Sequence, residues 1–387
     1  MANDPTRKPD WLESLAETRR ELHQQPELSG QEQETAAYIA SYLREHTPAQ
    51  LAEGLGGTGL IALFDSGQAG PSVLFRAELD ALPIAEANDF SHRSQTAGVA
   101  HKCGHDGHAA ILLGLARQLA AEPPQRGRAL LLFQPAEETG EGAEWVLQDE
   151  QFERLLPIDH AFALHNLPGF PLGKVVARTG AFTAAVRSSI IGLKGKTAHA
   201  AEPEHGISPA LAIAAILQQA QRRSRPALDA DDFAILTPVY VAMGEKAYGT
   251  AAGQGEVHLT LRTWSETAMD ELCQQWTDYL EKLAGQHGLE LALDWTDTFQ
   301  SCHNDKQAIA LLREAAAQCD MAFETREHPF KWGEDFGAFT QRFPGAMFGL
   351  GAGEERPALH NPDYDFPDEL LGPGIQIFHA IAKHLLS

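Results

Sequence analysis

The run His101-Lys102-Cys103-Gly104-His105-Asp106-Gly107-His108 constrains this chain more than any other segment. Three imidazoles, a thiol and a carboxylate so close together are costly to bury unless something pairs with them. On a continuous helix, side chains two residues apart point to opposite sides. Cys103 and His105 therefore share one ion only on an extended or turning segment. Gly104 permits the turn, and Asp106 is a residue type that caps a helix N-terminus. The run is expected at a strand-to-helix junction, with a helix from about Asp106 to Ala121, and open α/β sheets bind ligands at such junctions.

The surrounding pattern fits that expectation. Helix signals cover Trp11–His23 and, after the capping-box sequence Ser29-Gly30-Gln31-Glu32, Ala36–His46. Short apolar runs at Leu60–Phe64, Val73–Phe75, Ala129–Phe133, Ala161–Leu164 and Lys174–Ala177 read as strands. Strands alternating with helices predict an α/β core covered on both faces. Near residue 183 the pattern changes to strands at Val186–Leu193, Phe233–Val241, Glu256–Thr263 and Leu289–Trp295 with helices at Ile207–Arg223 and Glu266–His287. That set suits a small α+β domain with one open sheet face. From about His303 the alternation resumes with helix Lys306–Gln318, strand Ala346–Gly349 and helix Asp368–Leu386. A chain of 387 residues exceeds what one core usually serves. The expected organisation is a core domain in two parts, 1–183 and 298–387, interrupted by an inserted domain, 184–297.

Other segments supply further candidate ligands. Gln134-Pro135-Ala136-Glu137-Glu138 follows directly on a strand. Adjacent carboxylates repel unless a cation or proton intervenes, and one can ligate a metal while its neighbour takes a proton. His165 ends another short strand, and His360 sits in a Pro-rich loop. One thiolate, three imidazoles and one or two carboxylates suit Zn²⁺, Mn²⁺, Co²⁺ or Ni²⁺ rather than Mg²⁺ or Ca²⁺. Five or more ligands are too many for one open tetrahedral site and fit two metals.

Charge and composition exclude other classes. A formal charge of −23 argues against nucleic acid and anionic membranes as partners. No segment is apolar for long enough to span a bilayer. Met1-Ala2-Asn3-Asp4-Pro5 lacks the basic-then-apolar pattern of a signal peptide, so a cytoplasmic location is expected. Cys103, Cys273, Cys302 and Cys319 show no framework spacing, which leaves Cys103 free for another job.

Seven ordered motifs then carry a resemblance that covers nearly the whole chain. They are Arg76-Ala77-Glu78-Leu79-Asp80-Ala81-Leu82-Pro83-Ile84, His101–His108, Phe133–Glu138, Phe162–Asn166, Gly195–Pro203, Gly333-Glu334-Asp335-Phe336 and Leu359–Phe366. Together they resemble metal-dependent amidohydrolases that include hippurate hydrolases, auxin-conjugate hydrolases and N-acyl-amino-acid deacylases, related to aminoacylase and glutamate carboxypeptidase. The resemblance implies a zinc-peptidase-like α/β catalytic domain with a central mixed sheet flanked by helices, plus an inserted α+β lid and dimerisation domain. It implies two divalent metals held by Cys103, His105, Glu138, His165 and His360, with Glu137 as general base. Asp80 would orient a ligand, and His199 would reach across a homodimer to stabilise the oxyanion. The implied reaction is hydrolysis of small N-acyl amino acids. The alternatives are a di- or tripeptidase of the same architecture, a thiol amidase with Cys103 as nucleophile, and a non-catalytic amino-acid-binding homologue.

Two departures accompany the resemblance. Relatives commonly carry a substrate-contacting Asn where this chain has Gly249, in Ala247-Tyr248-Gly249-Thr250-Ala251-Ala252-Gly253. The usual aspartate two residues before Asp80 is Glu78. Arg262 remains, and its planar fork suits a substrate carboxylate.

Overall fold

Val73, Phe75 and Ala77 share one core with Ala129, Leu131 and Phe133 of a neighbouring strand, while Leu74, Leu130 and Leu132 between them are also fully buried. Strands of that kind need cover on both faces of their sheet. The computed structural model describes residues 11–230 and 232–387, which fall into two compact units: one of 11–182, 302–327 and 335–387, the other of 183–301 with 328–334.

The first unit opens with helices α1 (Trp11–Gln24) and α2 (Gln33–His46) and strands β1 (Gln50–Leu55), β2 (Gly59–Asp65) and β3 (Ser72–Glu78). Helix α3 (His105–Ala121), strand β4 (Arg128–Gln134), short helices α4 (Gly142–Leu147) and α5 (Glu150–Glu153), and strands β5 (His160–Pro168), β6 (Val175–Ala177) and β7 (Gly180–Ala181) follow. The second unit holds β8 (Ala185–Lys194), β9 (Ala198–His199), α6 (Ala210–Arg223), β10 (Ala234–Met243), β11 (Thr250–Ala251), β12 (Gln254–Thr263), α7 (Glu266–His287) and β13 (Glu290–Phe299). The chain then returns to the first unit with β14 (His303–Asn304), α8 (Lys306–Gln318), β15 (Phe323–Thr325), α9 (Gly337–Thr340), β16 (Gly345–Gly353) and α10 (Leu371–Leu386).

The main sheet of the first unit runs β1-β2-β4-β3-β5-β16-β6-β15. Strands β3, β4, β5 and β16 are mutually parallel, whereas β2 and β6 pair antiparallel to their neighbours β4 and β16. It is the expected mixed sheet, with α1, α2, α3, α8 and α10 contributing to one apolar core on it. In the second unit β10-β12-β8-β13 form an antiparallel sheet. Ile191, Leu193, Val257, Leu259 and Leu261 of that sheet pack against Ile213, Ile216 and Ala220 of α6 and Leu272, Trp276 and Leu280 of α7. Strand β10 is an edge, and its Val239, Tyr240 and Val241 are exposed at 60%, 50% and 45%.

Two local expectations are corrected. The capping box at Ser29 does not form: the Ser29 hydroxyl donates to Asp80 Oδ2 (2.7 Å), and α2 starts later, after Glu32, without a side-chain cap. A buried carboxylate of the site outcompetes a helix end for that hydroxyl. Glu32 instead accepts from the main-chain N–H groups of Gly30 (2.8 Å) and Ala136 (2.9 Å). Nor does Asp106 cap α3, because the helix begins one residue earlier, after Gly104 at φ +97°. Asp106 lies inside the first turn, paired with His23 and Arg19. Strand β1 was not anticipated, since its exposed-and-partial burial pattern carries no apolar alternation.

Candidate metal centre

Four loops of the first unit bring the predicted ligands together. Asp80 lies just past β3, Glu137 and Glu138 just past β4, Cys103 and His105 at the start of α3, and His165 within β5. His360 comes from the loop between β16 and α10. Gly104 makes the Cys103–His105 turn possible in two ways. Its φ is left-handed, and a Cβ there would meet Asn166 Oδ1 at 2.6 Å. The turn at Glu137 carries a left-handed non-glycine residue, Ala136 at φ +51°, fixed by the Glu32 bond to its N–H and by Gly142 N–H donating to its carbonyl (3.0 Å).

Three overlapping groups of ligand atoms, each spanning no more than 4.8 Å, link the set: Cys103 with His105 and His165, Cys103 with Glu138 and His360, and His105 with Glu137 and Glu138. The imidazoles are oriented from behind. His105 Nδ1 is held by the Asp80 main-chain oxygen (2.9 Å) and Asp80 Oδ1 (3.2 Å), leaving Nε2 for the cluster. His165 Nδ1 donates to the Asn166 carbonyl (2.9 Å), so its Nε2 lone pair faces Cys103 Sγ at 3.4 Å. Asp80 Oδ2 also accepts the Glu138 N–H (2.9 Å), so one carboxylate braces a histidine and the Glu-Glu turn together.

The donor set fits a cation. His105 Nε2 is buried with no hydrogen-bond partner, yet Glu137 Oε2 and Glu138 Oε1 each lie 3.8 Å from it. A lone pair facing two carboxylates at that distance is repulsive unless positive charge sits between them. Burial opposes charge on His105, but the Asp80 hydrogen bond and the Glu78, Asp80 and Glu138 charges outweigh it and raise its pKa to about 10. Burial and its His108 neighbour push His165 down to about 3, which keeps its imidazole neutral. Burial, then Glu138 and Glu137, push the Cys103 thiol well up. That shift removes the ready thiolate a cysteine nucleophile needs, whereas a bound cation restores it.

Several supports were not legible as site residues. His108 Nδ1 donates to Glu78 (2.6 Å) while its Nε2 meets Asn166, 2.5 Å from Oδ1 and 3.1 Å from the main-chain nitrogen, tying β3 and β5 to α3. Glu78 also pairs with Arg76, so the glutamate in the family's aspartate position spans two partners. Behind α3, His23 is wholly buried between Asp106 (2.8 Å) and Glu86 (3.1 Å). Burial lowers its pKa, but the Asp106 charge and the hydrogen bonds from Asp106 and Glu86 raise it to about 9. Because the folded value lies above the ordinary 6.5, this stabilisation is full below pH 6.5 and is lost as pH rises through 9. Thermal or urea unfolding of His23→Gln beside the parent should show the parent's advantage shrinking by roughly 3 kcal/mol from acid to alkaline pH. A constant difference would contradict a charged His23.

His199 and Arg262 belong to the second unit. His199 is exposed on the β9–β11 ribbon, opposite Thr250 in register. Its Nδ1 accepts the Ala201 N–H (3.1 Å), which places the neutral ring's proton on Nε2. Arg262 on β12 donates from Nη1 to the Lys331 carbonyl (2.6 Å), and no carboxylate of a described residue pairs with it. Gly249 neighbours the ribbon with its carbonyl accepting the Ala200 N–H (2.9 Å), and a Cβ there would meet no atom within 4 Å.

A mixed sheet that presents thiol, imidazole and carboxylate ligands beyond the carboxyl ends of its parallel strands is the layout of a metal-dependent hydrolase. Residues 74–384 match the model of a family described as Peptidase family M20/M25/M40. N-acetyldiaminopimelate deacetylase of Exiguobacterium sibiricum is 30% identical over 364 residues, covering 92% of this chain and 95% of that protein. N-acetyl-L-cysteine deacetylase of Bacillus subtilis is 31% identical over 369 residues, covering 95% of this chain and 87% of that protein. The crystal structure of the Bacillus subtilis YXEP protein, described as a dinuclear metal binding peptidase from the M20 family, matches with a TM-score of 0.82. It is 28% identical and covers 97% of this chain and 98% of that one. The chain belongs to the M20/M25/M40 peptidase family, an assignment that agrees with the amidohydrolase resemblance of its motifs.

Proposed function

We propose that this protein hydrolyses the amide bond of small N-acyl amino acids, using two divalent metal ions held by Cys103, His105, Glu138, His165 and His360. The convergence of Cys103, His105, His165, Glu137, Glu138 and His360 in three linked groups carries the reading, and a bound cation satisfies the buried, partnerless Nε2 of His105 between its two carboxylates. The deacetylase relatives support N-acyl amino acids ahead of di- or tripeptides. The first unit would be the catalytic domain and the second the lid and dimerisation domain.

When bound, the metals polarise the scissile carbonyl and lower the pKa of water. Glu137 takes a proton from the attacking water on its carboxylate and delivers it to the departing amine. Asp80 keeps the Nδ1 of His105 occupied so that Nε2 stays a ligand. His199 Nε2–H, supplied by the second copy of a homodimer, donates to the oxyanion. Arg262 holds the substrate carboxylate through a guanidinium that no protein carboxylate occupies. The exposed apolar edge of β10 supports a homodimer, since such an edge is otherwise a liability. The reduced state of Cys103, Cys273, Cys302 and Cys319 and the acidic composition support a cytoplasmic enzyme with no nucleic-acid or membrane partner. Among the described residues no helix is long and apolar enough to cross a membrane.

Chelation of the purified protein should abolish hydrolysis of N-acetyl- and N-benzoyl-amino acids. Separate reconstitution with Zn²⁺, Mn²⁺, Co²⁺ and Ni²⁺ then identifies the metal that restores it. Activity that survives chelation but not thiol alkylation would overturn this reading in favour of a Cys103 nucleophile.

A further inference from the structure

His360 is the ligand least supported by its own surroundings. Its side chain is 52% exposed, and its backbone sits at φ +65°, a conformation non-glycine residues keep only when neighbours impose it. Two of the contacts that hold the loop come from Lys102. The Lys102 carbonyl accepts the His360 N–H (2.8 Å), and the Lys102 ammonium donates to the Tyr364 carbonyl (2.8 Å). One residue therefore grips the His360 loop at two points, four residues apart. The Ala87 N–H donating to Pro362 O (2.9 Å) adds a third point from another segment.

The ammonium is fully buried and, among the described residues, pairs with one carboxylate, Glu86, which also receives His23 Nε2 (3.1 Å) and the Ser94 N–H (2.6 Å). Burying a lysine is expensive, and a surface position would cost nothing. A compact charge with three donors can reach a carboxylate and a carbonyl in different directions. Lys102 also immediately precedes Cys103, so the loop it holds is registered against the thiol.

We propose that Lys102 is a positioning residue that sets His360 against Cys103 and Glu138, and so tunes metal affinity at the position His360 serves. The inference rests on the metal-centre reading above, but its test does not need turnover. Metal-free parent, Lys102→Met, His360→Ala and the double variant are titrated with Mn²⁺ and with Co²⁺ by calorimetry. Thermal unfolding of the metal-free forms serves as the fold check.

Lys102→Met should weaken, by about tenfold or more, the same binding event that His360→Ala weakens, and leave the other within about threefold. Adding Lys102→Met to His360→Ala should cost nothing further, because the two act through one group. If Lys102→Met alone does not fold, Lys102→Met with Glu86→Gln removes the carboxylate left uncompensated, and the same comparison is made. Unchanged affinity for both metals, or losses that add in the double variant, overturns the proposal. A parent that binds no metal overturns it together with the metal-centre reading. A parent that binds two metals and cleaves no amide overturns the proposed activity alone.

Discussion

Glu137→Gln should lower kcat by about a thousandfold or more while the protein keeps the metal content of its parent. The substitution preserves size and an acceptor oxygen, which the Asp335 N–H now contacts at Glu137 Oε1 (3.4 Å), but it removes the group that can accept and return a proton. The neighbouring Glu138→Gln provides the contrast. Glu138 lies 3.8 Å from His105 Nε2 and 3.7 Å from His360 Nε2, between the two imidazoles proposed as ligands. Its loss should lower metal content first and turnover as a result. Metal analysis of both variants beside kcat separates a proton carrier from a ligand. A Glu137→Gln enzyme within tenfold of the parent would end the general-base assignment, and a metal-depleted one would make Glu137 a ligand.

His199→Ala should also cripple turnover, by roughly a hundredfold or more for one lost oxyanion donor. The informative measurement is a mixture. Glu137→Gln and His199→Ala chains are each nearly inactive, and are unfolded and refolded together at equal amounts. If His199 serves its partner, half the dimers are mixed and each has one site with both residues intact. Activity should then recover to about a quarter of the parent's. If His199 serves its own chain, every site in the mixture lacks one group and nothing recovers.

Legibility in the sequence followed the range of the interactions. Cys103 and His105 were readable because their chemistry and spacing are local, and the glycine between them explains the turn. The long apolar strands were readable because burial on both faces leaves continuous runs, as in Leu130–Phe133. What was lost depends on partners far along the chain. Ser29 looked like a helix cap until Asp80 claimed its hydroxyl, and Asp106 looked like a cap until His23 and Arg19 claimed its carboxylate. Short polar residues offer the same oxygen to a helix end and to a buried site, and sequence spacing does not rank the two. Lys102 was invisible for a related reason, because a buried lysine reads like any other until Tyr364 and Glu86 are found around it. Edge strand β1 escaped because an edge need not be apolar.

The sheet order also sets a timetable for the newborn chain. Strand β16 lies between β5 and β6, although both are complete before residue 178 and β16 begins at Gly345. At about 5–20 residues per second, a ribosome leaves β5 and β6 without their common neighbour for roughly ten seconds or longer. Through that interval two apolar strand edges stand open at the centre of the main sheet. His360, a few residues past β16, has not yet emerged. A metal centre that needs His360 would be completed only after β16 has emerged, and a chain stopped before residue 345 presents a split sheet that chaperones must shield or proteases clear.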